Sequence, residues 1–522
     1  MILKHFIPLI IFLIPTITTY NILVYSPSIG SSHTNFMARI ADTLTDAGHD
    51  VTFLVPIVGE AKIDHLGVKS TKDVVTVELD HKIEEKPADA DVKQYWRAEI
   101  DSENVKTLFT SFGDSLIRSC QRFLQRKDIF EEMKSRNFDV GIFEPLTICG
   151  VGFMHALGIR KTIIASSCVF LDPVLEAMGE PLDYSQVPGL LAKFDGDMTF
   201  WDKVENYKLS MAYQEWTWKI FDEESKMHKK FLGDSIPDWR ELVSSSSLHF
   251  TNSIPYVNFP RTVTQKTIPI GGIQVDFDGI KSEKLADDWE EVLEKRTKNV
   301  LISFGSAMRS MDLPEEWRAG LLGAIKSQPN TTFIWKYESD DVSFAAGVSN
   351  IHFSKWVPQT SLLNDPRLTA FITHGGLGST NELSHLGVPA IMIPVAADQT
   401  RNSNMLARHG GVIVLRKQDL GDPAKIEKAV KDILFDENYG ENSKKLADLL
   451  RNQPLKPKEQ VVRYVEFVAQ FGPFPKMDLG GQGNFLSIYF VIYLPYLIFV
   501  LLFVLVLIRS LCSIKRTKEK MN

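Results

Sequence analysis

The stretch Leu368-Thr-Ala-Phe-Ile-Thr-His-Gly-Gly-Leu-Gly-Ser-Thr380 decides the fold. Leu368 to Thr373 is an apolar run of buried-strand type, and His374-Gly375-Gly376 turns it into helical sequence. The first amides of such a helix have no acceptor within it, and its positive dipole end faces whatever the turn faces. An anion fits there, a diphosphate in particular. The two glycines let the backbone approach closely, and His374 can donate a charge-assisted hydrogen bond to a phosphate.

Outward from this turn the same alternation repeats. Buried-type strands are expected at 300–304, 331–335 and 390–394, separated by helix-length segments. A second set lies nearer the N-terminus, at 21–25, 51–55, 138–143 and 162–165. There Phe36, Ile40 and Leu44 mark one face of a helix that ends at Gly48. Strands alternating with helices imply parallel, doubly wound sheets. The expected fold is therefore α/β, with two Rossmann-like domains facing a cleft. Residues 252–282, rich in proline and holding Gly271-Gly272, read as the linker between them.

Trp356-Val-Pro-Gln359, His374-Gly375-Gly376, Glu382 and Asp398-Gln399 together resemble the signature of the UDP-glycosyltransferase family, whose best-known animal members are the glucuronosyltransferases. The close match covers residues 300–411, and the order of features resembles the family over the whole chain. The resemblance implies the GT-B glycosyltransferase fold and assigns roles. Trp356 stacks on uracil, Gln359 holds the uridine, and Glu382 accepts from the ribose hydroxyls. His374, Gly375, Gly376 and Ser306 meet the diphosphate, while Asp398 and Gln399 bind sugar hydroxyls. Many animal members carry asparagine where this chain has Gly378, so that contact is either lost or replaced by Ser379 or Thr380.

His33, in Gly30-Ser-Ser-His33-Thr-Asn-Phe36, follows the first strand, where the family keeps its general base. An imidazole titrates near working pH and suits removal of a proton from an acceptor hydroxyl. The family orients that histidine with an acid, usually aspartate. Phe138-Asp-Val-Gly-Ile-Phe-Glu144 aligns with its segment and puts Glu144 there, with Asp139 the rival at the strand's start. The reaction implied is a single inverting displacement on a UDP-α-sugar. The UDP-sugar is a co-substrate, and neither cofactor nor metal is expected. The triplets Asp89/Asp91, Asp195/Asp197 and Asp276/Asp278 read as solvated acids and not as metal ligands.

Composition and the chain ends bound the setting. With 44% hydrophobic and 24% charged residues over 522 positions, the chain is that of a folded protein of more than one domain. Met1 to Ile14, a basic start and a short apolar run, reads as a signal peptide, with a buried first strand as the alternative. Phe485 to Ile508 carries no charge and is long enough to span a bilayer. Arg509, Lys515, Arg516, Lys518 and Lys520 then mark a cytosolic tail of net charge about +4. Removing that tail from the formal net charge of −7 leaves about −11, which argues against a nucleic-acid partner.

The expected organisation is signal peptide 1–20, acceptor-binding domain 21–251, linker 252–282, UDP-sugar-binding domain with a return helix 283–484, span 485–508 and tail 509–522. Type I orientation with the body in the lumen of the endoplasmic reticulum follows. The lysines at 518 and 520 read as a retrieval address, or as an ordinary stop-transfer flank. Cys120, Cys149 and Cys168 form an odd set, so no disulfide framework is indicated. Asn330-Thr-Thr332 is a glycosylation sequon.

Expected partners are a UDP-sugar, a small lipophilic acceptor and the bilayer, with a homo-oligomer left open. The aromatic residues Phe200, Trp201, Trp216 and Trp218 read as acceptor-pocket lining, membrane-interface contacts or ordinary core. The sugar is left between glucose and glucuronic acid. Two alternatives stand beside conjugation of small lipophilic compounds: a dedicated sterol or ceramide transferase, and a catalytically idle UDP-sugar-binding partner.

Overall fold

The computed structural model describes residues 18–58, 66–78, 93–275, 284–478 and 493–510. The expected signal peptide up to residue 17, the start of the expected span, the tail from residue 511 with its lysines, and Asp89, Asp91, Asp276 and Asp278 lie outside the described residues.

Two parallel sheets form. The first comprises β1 (Asn21–Tyr25), β2 (Asp50–Pro56), β3 (Asp73–Val77), β4 (Val140–Phe143), β5 (Thr162–Ser166), β6 (Leu248–Thr251) and β7 (Thr267–Pro269), in the order β3-β2-β1-β4-β5-β6-β7. The second comprises β8 (Lys298–Ser303), β9 (Thr331–Lys336), β10 (Ile351–Ser354), β11 (Leu368–Thr373), β12 (Ala390–Met392) and β13 (Val412–Val414), in the order β10-β9-β8-β11-β12-β13. Central strands such as Val140–Phe143 are buried on both faces, as parallel strands covered by helices must be. Each fully buried Leu, Ile or Phe contributes about 1.5–3 kcal/mol by leaving water.

In both sheets the strand order reverses once, between β1 and β4 in the first and between β8 and β11 in the second. Crevices at the carboxyl ends of strands open at such reversals. His33 and Glu144 follow β1 and β4; Ser306 and His374 follow β8 and β11. The fold thus brings four separated stretches to two facing switch points.

Several elements differ from expectation. The stretch expected as linker contributes β7, an edge strand whose Pro269 has no amide to pair. Its Asn252 touches both domains, through Ser167 and Asn381, and its Asn258 accepts from Arg401 of the second. The helix Pro457–Phe471 returns to the first domain, where Val461, Val465 and Val468 pack with Phe36 and Ile40. Cys120 and Cys149 are joined in a disulfide, leaving Cys168 free. This corrects the reading of the odd cysteine set. The pair meets because the helices Thr110–Leu124 and Cys149–Ala156 share one core, a tertiary fact that a cysteine count does not carry.

The domains also meet away from the switch points. Trp96, from the first domain, is buried edge-on against Phe304, and Lys417 donates to the carbonyls of Tyr95, Ala98 and Val395. Tyr493–Ser510 is a helix long and apolar enough to cross a membrane, by length and composition.

Candidate active site

The turn at 374–376 is built tightly. Gly375 has φ +80°, where a side chain is strained, and a Cβ on it would meet Ser403 Oγ at 2.3 Å. A Cβ on Gly376 would meet His374 Nε2 at 2.7 Å. Thr380 N donates to Gly376 O, the first bond of the helix Leu377–Leu386, so the amides of residues 377–379 have no acceptor within that helix. The His374 ring also packs on Gly305, whose missing Cβ would lie 2.6 Å from the imidazole.

Burial pushes His374 down to about 4, helped by the charge of Lys336, so the ring is neutral at working pH. Any hydrogen bond it gives a phosphate draws its charge assistance from the phosphate alone. Lys336, at the end of β9, donates to Gly305 O at 2.9 Å and to Glu338 at 2.8 Å. Its ammonium lies 5.9 Å from the centre of the Trp356 ring.

Trp356 is 71% exposed, an open aromatic face and not core. Gln359 Nε2 donates to Glu382 Oε2 at 2.5 Å and to Ser379 Oγ at 3.0 Å, and Thr360 donates to Glu382 Oε1. Burial raises the Glu382 carboxyl above its ordinary value, against the hydrogen bonds of Thr360 and Gln359. Gln359, Ser379 and Glu382 thus form one cluster beside the turn. Thr380 Oγ1 is spent on Gly376 O, and a Cβ on Gly378 would meet nothing closer than Gln274 Oε1 at 3.8 Å. Ser379 and Thr380 are therefore engaged with protein groups.

Asp398 follows Ala397, a non-glycine residue at φ +53°. Such backbone strain clusters at functional sites. Asn402 donates to Asp398 Oδ2 at 2.9 Å, while Gln399 Oε1 accepts from the amides of Val395 and Ala396, leaving its NH2 as the polar end for other partners. Arg401, fully buried on the same helix, donates to Pro188 O at 3.1 Å and Asn258 Oδ1 at 2.9 Å and lies 4.4 Å over the Phe170 ring. The helix bearing Asp398 and Gln399 is thereby pinned to the first domain.

Across the cleft, His33 sits in the first turn of the helix Ser31–Asp46. Its Nδ1 lies 3.7 Å from Oε1 of the buried Glu144, and the hydroxyl of Ser167 stands within hydrogen-bond distance of Nδ1. Burial disfavours the charged ring, but Glu144 and the negative charge of Asp398 outweigh it and hold the His33 pKa above its ordinary value. Asp398 belongs to the other domain, so the two halves share one electrostatic site. They also touch directly: Ser31 Oγ and Ser306 Oγ are 2.7 Å apart. Asp139, the rival acid, instead accepts from the amide of Asn21 at the opposite end of the strand.

Elsewhere, Asn330 is exposed, as are Asp195 and Asp197. Trp216 packs against Phe112 and Tyr213 as part of the core, whereas Phe200 and Trp201 point to solvent. Among the described residues one group of three metal-ligand side chains lies close together, Cys120, Cys149 and His228, but both sulfurs are in the disulfide. Sequence reasoning passed over Ser167, Lys336 and Arg401. Ser167 follows β5 and Lys336 ends β9, each strand next to a switch point, a placement visible only once the sheet order is known.

The chain matches the family model described as "UDP-glucoronosyl and UDP-glucosyl transferase" over residues 21–508. It is 30% identical to the putative UDP-glucuronosyltransferase ugt-47 of Caenorhabditis briggsae, covering 96% of this chain and 94% of that protein. It is 28% identical to UDP-glucuronosyltransferase 3A1 of Bos taurus, covering 85% and 83%. Among solved structures, a Polygonum tinctorium UDP-glucosyltransferase superposes with a TM-score of 0.62 at 15% identity, covering 88% of this chain and all of that one, a likeness of fold alone. The chain therefore belongs to the UDP-glucuronosyl and UDP-glucosyl transferase family, and is a UDP-glycosyltransferase of the GT-B fold.

Proposed function

We propose that this enzyme moves glucose or glucuronic acid from its UDP conjugate to the hydroxyl of a small lipophilic acceptor, with inversion at the anomeric carbon, as in detoxification conjugation. His33 Nε2 takes the acceptor's proton as the acceptor oxygen forms its bond to the anomeric carbon. The bond from that carbon to the β-phosphate oxygen breaks, and its electron pair leaves on UDP. The helix terminus after Gly376, His374 and Ser306 stabilise the charge that develops there. Glu144 stabilises the imidazolium, as the acid of a catalytic dyad does. Trp356 carries the uracil, Gln359 and Glu382 the uridine, and Asp398 with the Gln399 amide the sugar hydroxyls. The scheme draws on no metal.

The observation that supports this reading is the contact of the two switch points across the cleft, where Ser31 Oγ beside His33 lies 2.7 Å from Ser306 Oγ and the charge of Asp398 acts on His33. The exposed sequon Asn330 and the apolar helix Tyr493–Ser510 fit a body in the lumen of the endoplasmic reticulum, anchored as a type I protein with Asn330 glycosylated. A microsomal assay of UDP-glucose, UDP-glucuronate, UDP-galactose and UDP-xylose with a phenol acceptor tests it. Turnover of the first or second, giving a β-glycoside, is expected; no turnover with any donor would leave a binding protein.

A further inference from the structure

The pairing of His33 with Glu144 is not a direct hydrogen bond. Their nearest atoms, Nδ1 and Oε1, are 3.7 Å apart, and Oε1 makes no hydrogen bond although it is buried. The hydrogen-bond position on Nδ1 belongs to Ser167 Oγ. The same residue's main-chain N–H donates to Glu144 Oε2 at 3.2 Å. One serine therefore touches both members of the pair.

Its location follows from the sheet. β4 and β5 pair in parallel with Phe143 opposite Ile164, so Glu144 leaves β4 level with Ala165 and its side chain reaches the amide of Ser167, just past the end of β5 and beside the switch point. Ser167 is also anchored from behind. Asn252 donates to Ser167 O at 2.9 Å, and Asn381 donates to Asn252 Oδ1 at 3.0 Å. Both asparagines are buried, and Asn381 lies on the helix that follows His374-Gly375-Gly376. A continuous chain of hydrogen bonds thus runs from the diphosphate-facing helix through Asn252 and Ser167 to His33.

We propose that Ser167 is a positioning residue for proton transfer: its hydroxyl oxygen accepts from His33 Nδ1–H, which leaves Nε2 bare toward the acceptor, while its main-chain N–H holds the Glu144 carboxylate. An imidazole with its proton fixed on Nδ1 has only Nε2 free to accept. A ring without such a partner samples the other tautomer, which cannot act as base there. Glutamate reaches farther than the family's usual aspartate, and here its oxygen stops short of hydrogen-bond range, so the serine supplies the directional contact. The carboxylate acts on the imidazolium through its field. The link to Asn381 makes this alignment depend on the two domains being together.

The inference rests on His33 being the base, and the experiment separates the two. Ser167→Ala, Ser167→Thr and His33→Ala are compared for kcat, KM and the pH dependence of kcat/KM, with the UDP-sugar selected by the donor panel and a phenol. A hydrogen bond to a ring that becomes charged as it takes the proton is worth on the order of 10–100-fold in rate. Ser167→Ala is expected to lose about that factor in kcat with KM for the UDP-sugar unchanged, to move the acid limb to lower pH, and to be rescued by Ser167→Thr. An unchanged kcat and limb in Ser167→Ala, beside an inactive His33→Ala, would overturn the inference alone. So would a loss confined to the donor KM, or a threonine variant as poor as the alanine one with an unmoved limb. An active His33→Ala would sink the underlying reading instead.

Discussion

At His33 two acids act on one imidazole from different domains. Glu144 lies 3.7 Å away, and Asp398 adds its charge from across the cleft. Their effect overcomes burial and raises the ring's pKa above the ordinary value of about 6.5. The working form of a base is neutral, so activity should fall as pH drops through that raised value. Glu144→Gln removes one of the two charges. The acid limb of kcat/KM against pH should therefore move to lower pH, with kcat reduced about 10-fold or more. A limb that stays in place would mean Glu144 does not act on the base. His374 shows the opposite balance: burial, helped by the charge of Lys336, pushes it down to about 4. Two histidines that look alike in sequence thus differ in charge because their neighbours arrive from other strands.

The turn from β11 into the helix Leu377–Leu386 depends on the absence of two side chains. Gly376→Ala puts a methyl 2.7 Å from His374 Nε2, so the ring or the turn must shift. A displacement of the order of 1 Å at a positioning element costs up to about 100-fold, and UDP affinity measured by calorimetry should fall by about 10-fold or more. Unchanged affinity would place the diphosphate elsewhere.

This element was legible in the sequence because its strand is long, apolar and closed by glycines. The edge strands β3, β7, β10 and β13 were not. Thr267-Ile-Pro269 and Val412-Ile-Val414 are too short to show periodicity, and they pair only because a neighbouring strand is already in place. The Cys120–Cys149 bridge and the burial of Arg401 against Phe170 were hidden for the same reason, since each joins segments remote in sequence. The candidate site residues could be named from motif order, but Ser167 could not. It belongs to no motif and reaches His33 only through the adjacency of β4 and β5.

Over the whole molecule, two sheets of the same reversal pattern present their switch points to each other. Arg401, the bonds of Lys417 to Tyr95 and Ala98, the Asn252–Asn381 bond and the returning helix Pro457–Phe471 tie the halves together. The proposed donor-binding groups belong to one half and the proposed base to the other, so binding and chemistry should be separable. The direct measurement is UDP affinity and kcat for His33→Ala beside the parent enzyme. Unchanged UDP affinity with kcat reduced by about 100-fold or more is the expected result. Undiminished turnover in that variant would contradict it.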